Sequence, residues 1–192
     1  MPNWCTNYVT FKHEDLKELN NIVRAWNSGQ LMGTFMPCPP ELKNTVAGCA
    51  GPAGSPEQIT LEAQEQQNIQ LYGARNWYEW QVGHWGTKWD VGREKDAPRR
   101  QALRPTATRV NLRFDSAWSP PVEFFEYMRQ SRGFNVKAYF FEPGLNFCGI
   151  YDNGAIQEYE IPDTVAAVES TLPRDLVTMF NIDEMVNEDE ED

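Results

Sequence analysis

Three β-prone runs separated by two tight-turn sequences occupy residues 135–161, and they restrict the fold more than any other stretch. The runs are NVKAYFFE (135–142), NFCGIY (146–151) and AIQEYEI (155–161). The first link holds Pro143-Gly144, the sequence of a type II turn, and the second Asn153-Gly154, the strongest two-residue hairpin signal. Two successive hairpins make an antiparallel meander, whose apolar face needs a covering layer.

The rest of the chain supplies strands to extend that meander and helices to cover it. Residues 4–11 (WCTNYVTF) alternate as a first strand, and Val110, Leu112 and Phe114 alternate with Arg109, Asn111 and Arg113 as another. Leu16, Leu19, Ile22, Val23 and Trp26 share one face of a helix that Gly29 closes. LMGTFMP (31–37) reads as a short edge strand stopped by Pro37, Pro39 and Pro40. After a small-residue linker at 44–56, Ser55-Pro56-Glu57-Gln58 is a helix start, with Gly73 past the helix end. Asn76 opens a second short helix over 77–83, and Ser119-Pro120-Pro121 starts a helix with Val122, Phe125 and Met128 on its apolar side, ended by Gly133. Val165, Val168, Leu176, Phe180 and Ile182 mark a closing helix. A chain of 192 residues with 41% hydrophobic residues has the length and core material of one domain. The expected fold is therefore α+β: a ferredoxin-like plait, a mostly antiparallel sheet with helices on one face, carrying a helical, Trp-rich insertion and a C-terminal helix. The expected limits are 1–162 for the domain, an insertion at about 44–107, a helical segment at 163–182 and an acidic disordered tail at 183–192.

Charge is polarised along the chain. The net charge is −11. Residues 88–113 hold eight cations against three acids, a net +5, which leaves −16 on everything else. Seven of the last ten residues are acidic, the pattern of a solvated tail. A molecule so negative is a poor ligand for duplex DNA and suits a basic partner. No apolar run reaches the roughly 18 residues of a membrane span and no signal-peptide pattern opens the chain, so the cytoplasm of the host cell is the expected location. Cys5, Cys38, Cys49 and Cys148 form no CxxC pair, and only His13 and His84 are available beside them, so free thiols and no metal or other cofactor are expected.

The aromatic residues are clustered. Tyr72, Trp77, Tyr78, Trp80, Trp85 and Trp89 lie within eighteen residues, interleaved with Asn76, Glu79, Lys88 and Asp90. Such density makes either a core layer or a recognition hot spot. Four motifs resemble the phage- and plasmid-encoded YubB-like proteins: Pro2-Asn3-Trp4-Cys5; NWYEWQVGHWGTKWDV from Asn76 to Val91; Ser116-Ala117-Trp118-Ser119-Pro120-Pro121; and Tyr139 to Gly144 followed by Phe147-Cys148-Gly149. The resemblance implies a ferredoxin-like domain and a mobile-element origin, and it implies no catalytic residues.

Three functions follow as expectations. The first is a non-enzymatic accessory protein of a phage or plasmid, an acidic module that binds and inhibits a host protein, such as a basic or nucleic-acid-handling defence factor. The second is a binder of single-stranded nucleic acid or nucleotide through the Trp- and Arg-rich segment. The third is an enzyme pairing His13 or His84 with Cys5, Cys38 or Cys148, although no GxSxG, P-loop, HExxH or GxGxxG occurs. The expected binding surface is Trp85, Lys88, Trp89, Trp118 and Glu142, because Lys88 and Glu142 are charges set inside apolar motifs. An ion pair between the insertion and the sheet is the plainer role for those two charges.

Overall fold

The computed structural model describes residues 3–93, 105–106 and 108–190. Five strands form one antiparallel sheet in the order β2-β1-β3-β4-β5: β1 Trp4–Lys12, β2 Arg109–Ala117, β3 Asn135–Glu142, β4 Phe147–Asp152 and β5 Ala155–Glu160. The meander β3-β4-β5 is the one the turn sequences predict. At its second turn Asn153 and Gly154 have φ of 48° and 106°, the two positive angles of a type I′ hairpin. The first turn differs from the expected type II form. Its left-handed residue is Asn146, at φ 60°, and Gly144 is not left-handed. A Cβ at 144 would lie 2.5 Å from the Asn3 side-chain nitrogen, so a larger residue there displaces that side chain.

One helical layer covers the sheet face formed by Val9 and Phe11 of β1, Leu112 and Phe114 of β2, and Val136 and Ala138 of β3. It comprises α1 (Leu16–Asn27), whose Leu19, Ile22 and Ala25 are buried, and α6 (Val122–Arg132), which buries Phe124, Phe125 and Met128. Phe11 lies at the centre, with ring centroids 6.0–6.5 Å from those of Phe124, Phe125 and Phe134 in edge-on geometry. β2, α6 and β3 form a split β-α-β unit around β1, the element of a plait-type α+β fold. A second such unit, which the strand at 4–11, the helix closed by Gly29 and a strand at 31–37 would together make, is not formed. The run expected as an edge strand at 31–37 is instead the short helix α2 (Leu31–Phe35). Its first amides are satisfied by the carboxylate of Asp90, which accepts from the Met32 and Gly33 N–H groups at 2.7 and 2.8 Å. A cap supplied from 57 residues away cannot be read from local sequence.

After α3 (Pro40–Lys43), the insertion contains α4 (Pro56–Tyr72) and α5 (Trp77–Trp85). Ser55 caps the first, accepting from the Gln58 N–H, and Asn76 caps the second, accepting from the Tyr78 and Glu79 N–H groups. Both end on left-handed glycines, Gly73 and Gly86. Lys95, Arg99, Arg100 and Arg104 of the basic stretch lie outside the described residues.

The C-terminal segment, expected as one helix, is three: α7 (Val165–Thr171), α8 (Arg174–Phe180) and α9 (Ile182–Glu190). Pro173 forces Leu172 into extended geometry and ends the first, and left-handed Asn181 ends the second. These helices form a second layer on the opposite face of the sheet. Val168, Leu176, Ile182 and Val186 pack there with Cys148, Tyr139, Phe141 and Ile150. Phe180 stacks on Phe141 at 5.3 Å and meets Tyr8 edge-on at 5.3 Å. Of residues 183–192, expected as a disordered tail, those to Glu190 continue as helix, with Ile182 and Val186 placing an apolar stripe against that layer, and Glu191 and Asp192 lie outside the described residues.

Gly149 of β4 sits directly opposite Phe140 of β3, whose ring lies over it. A Cβ at Gly149 would collide with that ring and lie 2.5 Å from the Gln157 carbonyl oxygen. Gly149→Ala is expected to destabilise the protein by about 2–3 kcal/mol, the scale of core overpacking, read as a lowered midpoint in urea. An unchanged midpoint would mean that the ring has room to move.

Candidate functional site

The end of β2 and the residues after α5 are sewn together by short polar side chains. Ser119 Oγ donates to the Gly86 carbonyl at 2.7 Å, and Thr87 Oγ1 donates to the Ala117 carbonyl at 3.0 Å. Ser116 Oγ donates to the Ser119 carbonyl at 2.6 Å and accepts from buried Asn7 at 2.8 Å. The following segment is fixed to α1 and α2. The Leu31 N–H donates to the Val91 carbonyl and the Arg93 N–H to the Trp26 carbonyl, both at 2.8 Å. Asp90 holds α2 as described, and burial pushes its carboxyl above the usual range while three backbone amides pull it back. Lys88 and Trp89 are therefore held on both sides by structure remote in sequence.

What this framework presents is a cation enclosed by rings. Lys88 Nζ lies 4.7 Å from the ring centre of Trp89, 5.4 Å from Trp118, 5.5 Å from Tyr78 and 6.0 Å from Trp77. These distances are within the range of cation–π attraction. Lys88 forms no ion pair among the described residues. Trp4 extends the array, 5.9 Å from Trp89, which in turn stacks on Trp118 at 6.4 Å. Trp4 is 48% exposed, Trp89 39% and Tyr78 36%. Trp118 has φ of +67°, a backbone region in which a bulky side chain is a real outlier.

Of the five residues predicted for the surface, the structure brings together Lys88, Trp89 and Trp118. Trp85 is core: it is 2% exposed, meets Trp80 edge-on and donates its indole N–H to the Met36 carbonyl at 3.0 Å. Glu142 is 1% exposed and caps the β3–β4 turn, accepting from the Gly144 N–H at 3.1 Å and from the Leu145 N–H. The plainer expectation, an ion pair between Lys88 and Glu142, is not met either, since each has other partners. Sequence reasoning missed Trp4, Trp77 and Tyr78 as members of the array. They stood in the distinctive motifs, but which rings of a dense cluster turn outward depends on how α5 docks.

The thiols are mostly shut away. Cys5, Cys38 and Cys148 are buried and Cys49 is exposed. Burial pushes Cys5 up to about 12 and Cys148 up to about 11, and raises Cys38 as well. In the native protein at pH 8, an aromatic disulfide reagent is therefore expected to titrate one thiol rapidly and the other three only after unfolding. Two or more fast thiols would contradict the burial described. His13 lies beyond the far end of β1 from Cys5, and the His84 ring stacks on Trp80 at 4.2 Å. Among the described residues no group of three His, Cys, Asp or Glu side chains is placed to hold a metal. No helix of the described residues is long and apolar enough to cross a membrane.

No protein-family model matches the chain, and no curated protein matches it. Among solved structures, the crystal structure of protein api92 from Yersinia pseudotuberculosis, family DUF1281, is similar at a TM-score of 0.42 and 10% identity. The superposition covers 84% of this chain and 99% of api92.

Proposed function

We propose that the protein is a non-catalytic binding module for a basic protein partner, with the rings around Lys88 as its recognition surface. The observation that carries this reading is the seat of Lys88: one ammonium over four rings, two of them at least a third exposed, on a segment anchored from both sides. Trp and Tyr grouped with a cation is the composition of an interface hot spot. Strained backbone such as that of Trp118 persists where the surroundings enforce it, and it concentrates at functional positions. The net charge of −11 favours a basic partner through steering. The raised Cys5 and Cys148 thiols weigh against a cysteine nucleophile, which needs the opposite shift. The wider role proposed is that of a phage or plasmid accessory protein acting in the host cytoplasm, which occupies a host defence or nucleic-acid-handling protein.

Binding of single-stranded nucleic acid has one observation in its favour. A groove of about 620 Å³ is lined by Trp4, Trp26 and Trp89 together with Arg93 and Arg113. Rings and arginines are the elements of a base-stacking site, but Asp90 and Asp115 line the same groove and oppose phosphate. Affinity capture separates the readings. The tagged full chain is expected to enrich a basic protein from lysate of its own cells at least tenfold over a Trp4→Ala/Trp89→Ala variant. Equal recovery on both baits, or no recovery together with an unchanged deletion phenotype, would contradict the proposal. Nuclease-sensitive recovery of nucleic acid alone would favour the second reading.

A further inference from the structure

Beside the Lys88 rings lies a cleft of about 850 Å³, lined on one side by Trp77, Tyr78, Lys88 and Trp118 and on the other by Gln58, Glu62 and Glu65 of α4. The two walls differ in what they lack. Gln58 donates to Glu62 at 2.9 Å and Asn76 to Glu65 at 3.3 Å, both neutral donors. Neither glutamate has a cation within ion-pair distance among the described residues. The cleft's third acid, Glu79, is engaged by Arg75, which donates from its side chain and its backbone N–H and holds the Glu79 carboxyl below the usual range. One wall therefore carries two carboxylates outside any ion pair among the described residues, with Arg75, which also lines the cleft and is paired to Glu79, acting on Glu65 only at longer range. The other carries aromatic faces that already hold an ammonium.

Carboxylates facing a π-surface suit a planar guanidinium better than any other protein group. It stacks on a ring and offers paired N–H donors to the acids, and it is less strongly hydrated than an ammonium. An anion entering the same cleft would have to approach Glu62 and Glu65. We propose that this cleft receives a basic side chain of the protein partner, arginine above all, and that Lys88 occupies the rings until it is displaced. This rests on the binding-module reading and names the chemistry that the module recognises. Lys88 is suited to withdraw, because its four-carbon stem carries the ammonium to water without moving the backbone.

The test uses the full chain and a blocked Gly-Arg-Gly-Arg-Gly peptide, with the citrulline peptide as its uncharged counterpart, followed by tryptophan fluorescence. Glu62→Gln/Glu65→Gln is expected to weaken arginine-peptide binding about tenfold or more. Glu158→Gln/Glu160→Gln on the β5 edge makes the same change in net charge and is expected to alter binding less than about twofold. Lys88→Met removes the competing cation and is expected to strengthen binding several-fold. Equal weakening by both double variants would reduce the effect to general attraction by an acidic surface and overturn the proposal. So would equal binding of the citrulline peptide, no binding of the arginine peptide, or weakening by Lys88→Met. Partner capture separates the levels of the claim. If Glu62→Gln/Glu65→Gln retains a partner that Trp4→Ala/Trp89→Ala loses, the cleft assignment fails and the module stands. If both variants retain the partner, the module reading fails as well.

Discussion

Trp118→Ala is expected to lower affinity for the protein partner by roughly 30-fold or more, the scale of a central hot-spot residue. Its ring stacks on Trp89, meets Tyr78 edge-on and lies 5.4 Å from Lys88 Nζ, so its loss opens the array at its centre. Its backbone supplies a control that separates recognition from stability. At φ +67° any L side chain is strained, whereas glycine is not. Trp118→Gly is therefore expected to melt higher than Trp118→Ala, with a stability difference of about 1 kcal/mol, while binding the partner equally poorly. If the glycine variant recovered the affinity, strain relief and not the ring would govern binding. Equal melting of the two variants would show that the backbone there is unstrained.

The second large effect is expected at Gly92, and there it falls on stability and site together. A Cβ at 92 would lie 2.5 and 2.6 Å from the Gly29 Cα and carbonyl carbon and 3.0 Å from the Gln30 nitrogen. Those neighbours are backbone atoms, so no side-chain rotation relieves the clash. The segment cannot slide away either, because the Val91 carbonyl, the Arg93 N–H and the Asp90 carboxylate are all bonded to α1 or α2. Gly92→Ala is expected to cost about 3 kcal/mol and to lower the melting temperature by roughly 6–12 °C. Because Lys88 and Trp89 immediately precede the anchored stretch, the variant is also expected to bind the partner less well at temperatures where it remains folded. A melting temperature within about 2 °C of the parent protein would mean that the segment is not clamped, and that Lys88 and Trp89 are not held as described.

What was legible in the sequence, and what was not, follows the range of the interactions involved. Asn153-Gly154, the alternation of β1 and β2, and the Ser55 and Asn76 caps are local chemistry, and each forms the element it predicts. Leu31–Phe35 reads as a strand in isolation because the groups that make it a helix belong to Asp90. The break of the C-terminal segment has a local signal in Pro173 that the one-helix expectation passes over, whereas its docking on the second sheet face has none, since it depends on Tyr8, Phe141 and Ile150 turning away from the main core. The same limit applied at the site. The Trp-rich run announced itself, but Trp85 and Trp89 differ in burial by the turn at Gly86, where the chain leaves α5 and crosses to the end of β2. Glu142 drew notice as a lone charge in an apolar motif, and burial with two backbone donors makes it a turn cap.

The central claim, that the rings around Lys88 meet the partner, is tested most directly by hydroxyl-radical footprinting of the full chain with and without the captured protein. The account predicts that Trp4, Tyr78, Trp89 and Trp118 lose reactivity in the complex, while buried Trp80 and Trp85 react poorly in both states. Unchanged modification of those four rings, with protection appearing on β5 or α9 instead, would contradict it.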